Sequence, residues 1–151
     1  MLSQSKLLCD AMRANIETIT LRWVHHVHDD PYLQAKDSKL TLPQIIDHVP
    51  QMLEELCDLL DREEEPDFKT IRASSEHGYV RSAEGYSLTQ LLRELELLRD
   101  AVFNFVAETE IKQGVNRPDT IRALRRVNKY FGEDIIFVVE HFLSRSAKDN
   151  K

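Results

Sequence analysis

The residues of this 151-residue chain best suited to chemistry crowd into one stretch, "EHGYVRSAEGYS" (76–87), where His77, Arg81 and Glu84 surround Gly78 and Gly85. An imidazole, a guanidinium and a carboxylate so close in sequence can move a proton, hold an anion or pair with one another. Two of the chain's four glycines fall here, although glycine inside a helix costs about 0.5–1 kcal/mol relative to alanine. Helix propensity alone gives no reason for them.

Other candidate groups are weaker. In "HHVHDD" (25–30), His25 and Asp29 stand four apart, a spacing that suits a transition metal. The His-Asp dipeptide there also occurs in HD-type phosphohydrolases, but no matching set of further ligands follows. Histidines at a helix C-terminus also suit the helix dipole, and that is the expected role. A di-iron bundle needs Glu-x-x-His on two helices. The residues three before His48, His77 and His141 are Ile45, Ser74 and Val138, so that option fails. His48 and His77 have a separation close to that of the two haem-facing histidines of globins, yet Gly78 and Pro50 make poor walls for a haem pocket. No G-x-S-x-G and no glycine-rich phosphate loop is present, so no enzyme is expected. Cys9 and Cys57 lie in apolar helical patterns without CxxC spacing and are expected as buried, reduced thiols.

These side chains need a scaffold, and the composition favours helices. Glycine and proline are scarce, and the net charge of −6 is spread as mixed signs. No basic stripe for nucleic acid emerges. The N-terminus lacks an apolar segment of signal-peptide length and no run could span a bilayer, so the expectation is a cytoplasmic protein with no nucleic-acid or membrane partner.

Apolar periodicity predicts five helices. The first covers Ser3 to Asp29, with Leu8, Met12, Ile16, Ile19, Trp23 and Val27 inward and Pro31 beyond its end. Thr41 and Gln44 form a capping box for the second, which runs to Leu60 with a kink or a restart expected at Pro50. Asp67 caps a third through Ile71 to about Ala83. Ser87 and Gln90 open the fourth, which ends before Gly114, and the fifth runs from Pro118 to about Ser146. The expected fold is all-α, a five-helix globin-like or helical-bundle domain with long antiparallel helices, forming one sensory and dimerisation domain over 1–151. The last helix keeps an apolar stripe of Phe131, Ile135, Val138, Val139 and Phe142 almost to the chain end. It serves either the core or a partner helix.

The segment "HGYVRSAEGYSLTQLLRELELLR" (77–99) resembles the N-terminal domain of RsbR/RsbRD-type stress-signalling co-antagonists, which also stands at the front of bacterial sensor histidine kinases. The resemblance rests on His77, Gly78, Arg81, Gly85, Tyr86, Ser87, Leu88, Arg93, Glu94, Leu98 and Arg99. It extends to "TLPQIIDHVPQMLEELCDLL" (41–60) and "LRWVHHVHDDP" (21–31). Glu84 stands where the family usually has Gln, and Leu95 where Tyr commonly follows Arg-Glu. The resemblance implies a globin-like domain without haem or other cofactor, which forms a homodimer and signals through its last helix to a downstream protein or a fused kinase. It also implies that Gly78 and Gly85 serve close helix approach and a sharp turn. His77, Arg81, Glu84, Glu94 and Arg99 would then form a polar cluster at the corner. Either a structural network or a signal site fits that cluster.

Overall fold

The computed structural model describes residues 4–37, 39–68 and 73–149. Among them the fold is all-α, with no strand and eight helical segments: α1 (Ser5–Ala14), α2 (Ile16–Asp29), α3 (Gln34–Asp37), α4 (Leu42–Ile46), α5 (Val49–Leu60), α6 (Ala73–Ala83), α7 (Leu88–Gln113) and α8 (Arg117–Asp149). Eight replace the expected five because two long segments are broken and a one-turn helix, α3, follows Pro31. The first break falls at Asn15, whose φ of −126° and ψ of 21° lie off the helix. Its side-chain Nδ2 donates to the Ala11 carbonyl at 2.8 Å, a local bond that competes with the helical ladder. The second break falls at Asp47, three residues before Pro50, and of the two expected outcomes, a kink or a restart, the chain takes the restart. Asp47 has a φ of 45°, which turns the chain between α4 and α5. Pro50 then sits in the first turn of α5, where a missing N–H costs nothing. Ile71, expected in the third helix, lies outside the described residues.

Both expected capping boxes form. Thr41 with Gln44 opens α4, and Ser87 with Gln90 opens α7. The turn between α6 and α7 is a Schellman motif: Tyr86 N–H donates to the Arg81 carbonyl at 3.0 Å, and Gly85 N–H to Ser82 at 3.1 Å. Gly85 has a φ of 83° and occupies the left-handed position of that motif.

The core runs through the middle of the helical stack. Leu8, Met12, Ile19, Trp23 and Val27 of α1 and α2 meet Met52, Leu53, Leu56 and Leu60 of α5, and Leu91, Leu95, Leu98 and Val102 of α7. Helix α8 packs mainly along α7, giving Val127, Tyr130, Phe131 and Val138 to the same core. At about 1.5 Å per residue, these two helices span about 39 and 50 Å. Cys9 and Cys57 are both buried and free. Burial pushes their thiols up to about 11 and about 12, so neither is a thiolate near neutral pH.

Candidate functional site

Helix α6 turns His77, 1% exposed, and Arg81, fully buried, inward. They lie one helical turn apart, and α7 brings Glu94, also fully buried, against both. Arg81 Nε donates to Glu94 Oε1 at 2.8 Å. Its Nη1 donates to the Gln44 carbonyl at 2.9 Å and to Glu84 Oε1 at 3.1 Å, and its Nη2 to the Ile45 carbonyl at 2.6 Å. The guanidinium also lies 5.0 Å from the ring centroid of Tyr86. Those two carbonyls belong to the last turn of α4, which has too few residues to satisfy them internally. Arg81 therefore caps α4 while neutralising Glu94.

His77 is held between two carboxylates. Its Nδ1 lies 2.9 Å from Asp47 Oδ2, and its Nε2 lies 3.5 Å from Glu94 Oε1. A neutral imidazole has one donor only, so acceptors at both nitrogens are satisfied together only by the imidazolium. His48 Nδ1 approaches the same Asp47 oxygen at 2.9 Å. Trp23 of α2 closes the group: its Nε1 donates to the Glu94 carbonyl at 3.0 Å, and its ring meets His77 edge-on at 6.3 Å. Arg81 and protonated His77 thus balance Asp47 and Glu94, leaving Glu84 at the half-buried edge. Glu94 Oε2 has no hydrogen-bond partner among the described residues.

The electrostatics follow from this geometry. Burial alone pulls the His77 pKa down, but bonding to Asp47 and Glu94 and the Glu94 charge outweigh it, and the net direction is up. Burial alone raises the Asp47 pKa; bonding to His77 and His48 outweighs it and holds the carboxyl at about 2. Burial also disfavours the Arg81 cation, yet Glu94 raises its pKa overall.

The signs give a pH window. The His77 contribution is present below its unfolded value of 6.5 and is lost as pH rises through the raised folded value. The Asp47 contribution is present above 3.8 and is lost as pH falls toward 2. Between those limits Arg81 and Asp47 keep their charges and His77 stays protonated. Trp23 is the sole tryptophan, so its emission reports directly on this ring. Emission is expected to rise as pH increases through the His77 transition, because an imidazolium quenches indole more strongly than imidazole. His77→Gln should abolish that step. An unchanged step in the variant would assign it to another group.

Of the residues singled out by sequence, His77, Arg81, Glu84 and Glu94 come together. No hydrogen bond or ion pair links Arg99, half-exposed on α7, to them among the described residues. Gly78 lies within α6 rather than at a turn. A Cβ there would sit 3.3 Å from Val138 Cγ2, so the bare backbone lets α6 approach α8. On α8, Phe131 and Val138 are core residues, while Ile135, Val139 and Phe142 are half-buried. Apolar exposure on that helix falls instead on Ile121, Ile136, Phe137 and Leu143. His25 and Asp29 form only an exposed contact at 3.6 Å. No group of three or more His, Cys, Asp or Glu among the described residues is placed to hold a metal ion.

Sequence reasoning did not find Asp47, Trp23 or the carbonyls of Gln44 and Ile45. Asp47 carried a usable signal, as an acidic residue beside His48 at a helix break. Main-chain acceptors have no letter of their own.

The chain belongs to the family of the RsbT co-antagonist protein rsbRD N-terminal domain, whose model matches residues 17–148. That makes it a stress-signalling regulatory domain. No curated protein matches it, and no solved structure does. Among the described residues no helix is long and apolar enough to cross a membrane.

Proposed function

We propose that the chain is one non-catalytic, cytoplasmic sensory domain over 1–151, which forms a homodimer through α8 and passes a change at the buried cluster along that helix. The output would be a histidine kinase or another stress-response partner. The observation that carries this reading is the order of three consecutive α6 residues. His77 enters the charge cluster, Gly78 lies against Val138 of α8, and Tyr79 packs on Phe137 and His141 of α8 at ring distances of 6.0 and 4.3 Å. A shift of α6 that accompanies any change in the cluster must therefore be felt on α8. Contiguity of this kind supports coupling; a measured coupling energy is the test of it.

The dimer surface in this reading is the C-terminal half of α8. Ile136 and Leu143, 53% and 62% exposed, lie seven apart on one face, with Phe137 beside them. Sedimentation velocity at micromolar concentration is expected to give a dimer for the wild type. Ile136→Glu with Leu143→Glu should give a monomer with unchanged helical circular dichroism. A wild-type monomer throughout the concentration range would sink the dimer mechanism.

The rival reading is a globin-like carrier of haem or a small apolar molecule, and the histidine geometry speaks against haem. Both His77 nitrogens face carboxylates, and His48 turns toward the same Asp47 oxygen. No observation favours an apolar ligand.

A further inference from the structure

The first half of α8 holds a second group of charges, remote in sequence from the cluster around His77. Arg126 is 3% exposed. Its Nη1 donates to the carbonyls of Leu59 at 3.0 Å, Leu60 at 3.3 Å and Arg62, and its Nη2 to the Glu64 carbonyl at 3.2 Å. These bonds close the C-terminus of α5, where carbonyls lack intrahelical donors. All four acceptors are uncharged, and the buried Nε has no partner among the described residues. Arg122 lies beside it and bonds in the same way, through Nη2 to the Glu63 carbonyl at 2.6 Å. Lys129 Nζ holds Glu65 Oε1 at 2.7 Å, and Arg125 is exposed.

These four cations and Glu65 line one open cavity of about 370 Å³, with Pro118 and Ile121 as its apolar wall. Four positive charges thus face one negative charge, in a chain whose net charge is −6. Burial and then the neighbouring Arg122 charge push the Arg126 pKa down, the direction expected when like charges crowd together. Capping the carbonyls of 59–64 accounts for Arg126 and for one nitrogen of Arg122, and Glu65 for Lys129. It gives no reason for Arg125 on the same cavity, nor for the excess of cations over the one carboxylate.

We propose that this cavity is an oxyanion site that takes a phosphate group, either as free phosphate or on a small phosphorylated molecule. Guanidinium forks match phosphate oxygens in pairs, and an ammonium adds a point charge. The volume suits a small ligand. Glu65 is central to the test: its carboxylate occupies the Lys129 donor that an arriving anion would use. Removing it should therefore strengthen binding, whereas a merely structural Glu65–Lys129 bridge predicts no gain.

The experiment is thermal denaturation of the full chain in phosphate-free buffer, with ionic strength held constant by potassium chloride. Inorganic phosphate and pyrophosphate are titrated separately. A saturable rise in melting temperature is expected, as for any ligand that binds the folded state only. Arg125→Gln should weaken the apparent affinity about tenfold and Glu65→Gln should tighten it severalfold, the direct contact of one charge with a phosphate being the difference. Both positions are exposed, so both variants should fold. Tighter binding of inorganic phosphate than of pyrophosphate would identify free phosphate as the ligand; the reverse would identify a larger phosphorylated molecule. No saturable response to either anion would overturn the proposal. So would a response that neither substitution changes.

Discussion

Arg81→Met is expected to lower the unfolding free energy by about 3–5 kcal/mol, the range seen when one partner of a buried pair is removed. Three losses coincide. Glu94 is left in the core without its guanidinium partner, the Gln44 and Ile45 carbonyls lose their donor, and Glu84 loses its partner. Against a typical total of about 5–15 kcal/mol, one substitution removes a large share of the stability. Urea unfolding followed by circular dichroism measures it. Adding Glu94→Gln to Arg81→Met should recover part of the loss, because the unpaired carboxylate is gone; the two changes are then non-additive. If Arg81→Met fails to fold, Arg81→Lys still tests the point. An ammonium keeps the charge but cannot bond Glu94, Glu84 and both carbonyls from one plane, so an intermediate loss is expected. A loss below about 1 kcal/mol for Arg81→Met, the scale of an exposed pair, would show that the cluster does not hold the corner.

The helical class and most of the core were legible in the sequence, because apolar periodicity and caps are local signals. Leu8, Met12, Ile19, Trp23 and Val27 share the face their spacing predicts, and both capping boxes form where Thr41–Gln44 and Ser87–Gln90 place them. Breaks were harder. Asn15 ends α1 through its own side chain, in a stretch whose periodicity continues unbroken into α2. Pro50 marks the restart of a helix, as a first-turn proline can, but the turn itself falls at Asp47, three residues earlier. At the site, the three ionic residues carried a local pattern, whereas their partners depend on tertiary placement. Asp47 approaches His77 across 30 residues and Trp23 approaches Glu94 across 71. The stripe on α8 shows the remaining ambiguity. Periodicity names the apolar residues but not which of two faces meets the core, and the structure turns Phe131 and Val138 inward while Ile136 and Leu143 stay outside.

Trp23→Ala should cost about 3–5 kcal/mol, the usual price of emptying a buried tryptophan site. Trp23 is 1% exposed and fills the space between α2, α6 and α7. Its role differs from that of an ordinary core aromatic, because the indole N–H donates to the Glu94 carbonyl and its ring edge shields His77. Truncation therefore removes volume beside a charged ring. Water entering the vacancy would weaken the Asp47–His77–Glu94 interactions by raising the local dielectric. Trp23→Phe separates these effects, since it keeps most of the apolar volume and loses the donor. Its expected loss is about 1–2 kcal/mol, from one buried hydrogen bond and a small void. The His77 pKa, read by NMR because the fluorescent probe is gone, should move back toward 6.5 in Trp23→Ala and stay raised in Trp23→Phe. Equal losses in the two variants would assign the stability to the hydrogen bond alone. An unchanged His77 pKa in Trp23→Ala would mean that the indole does not shield the ring.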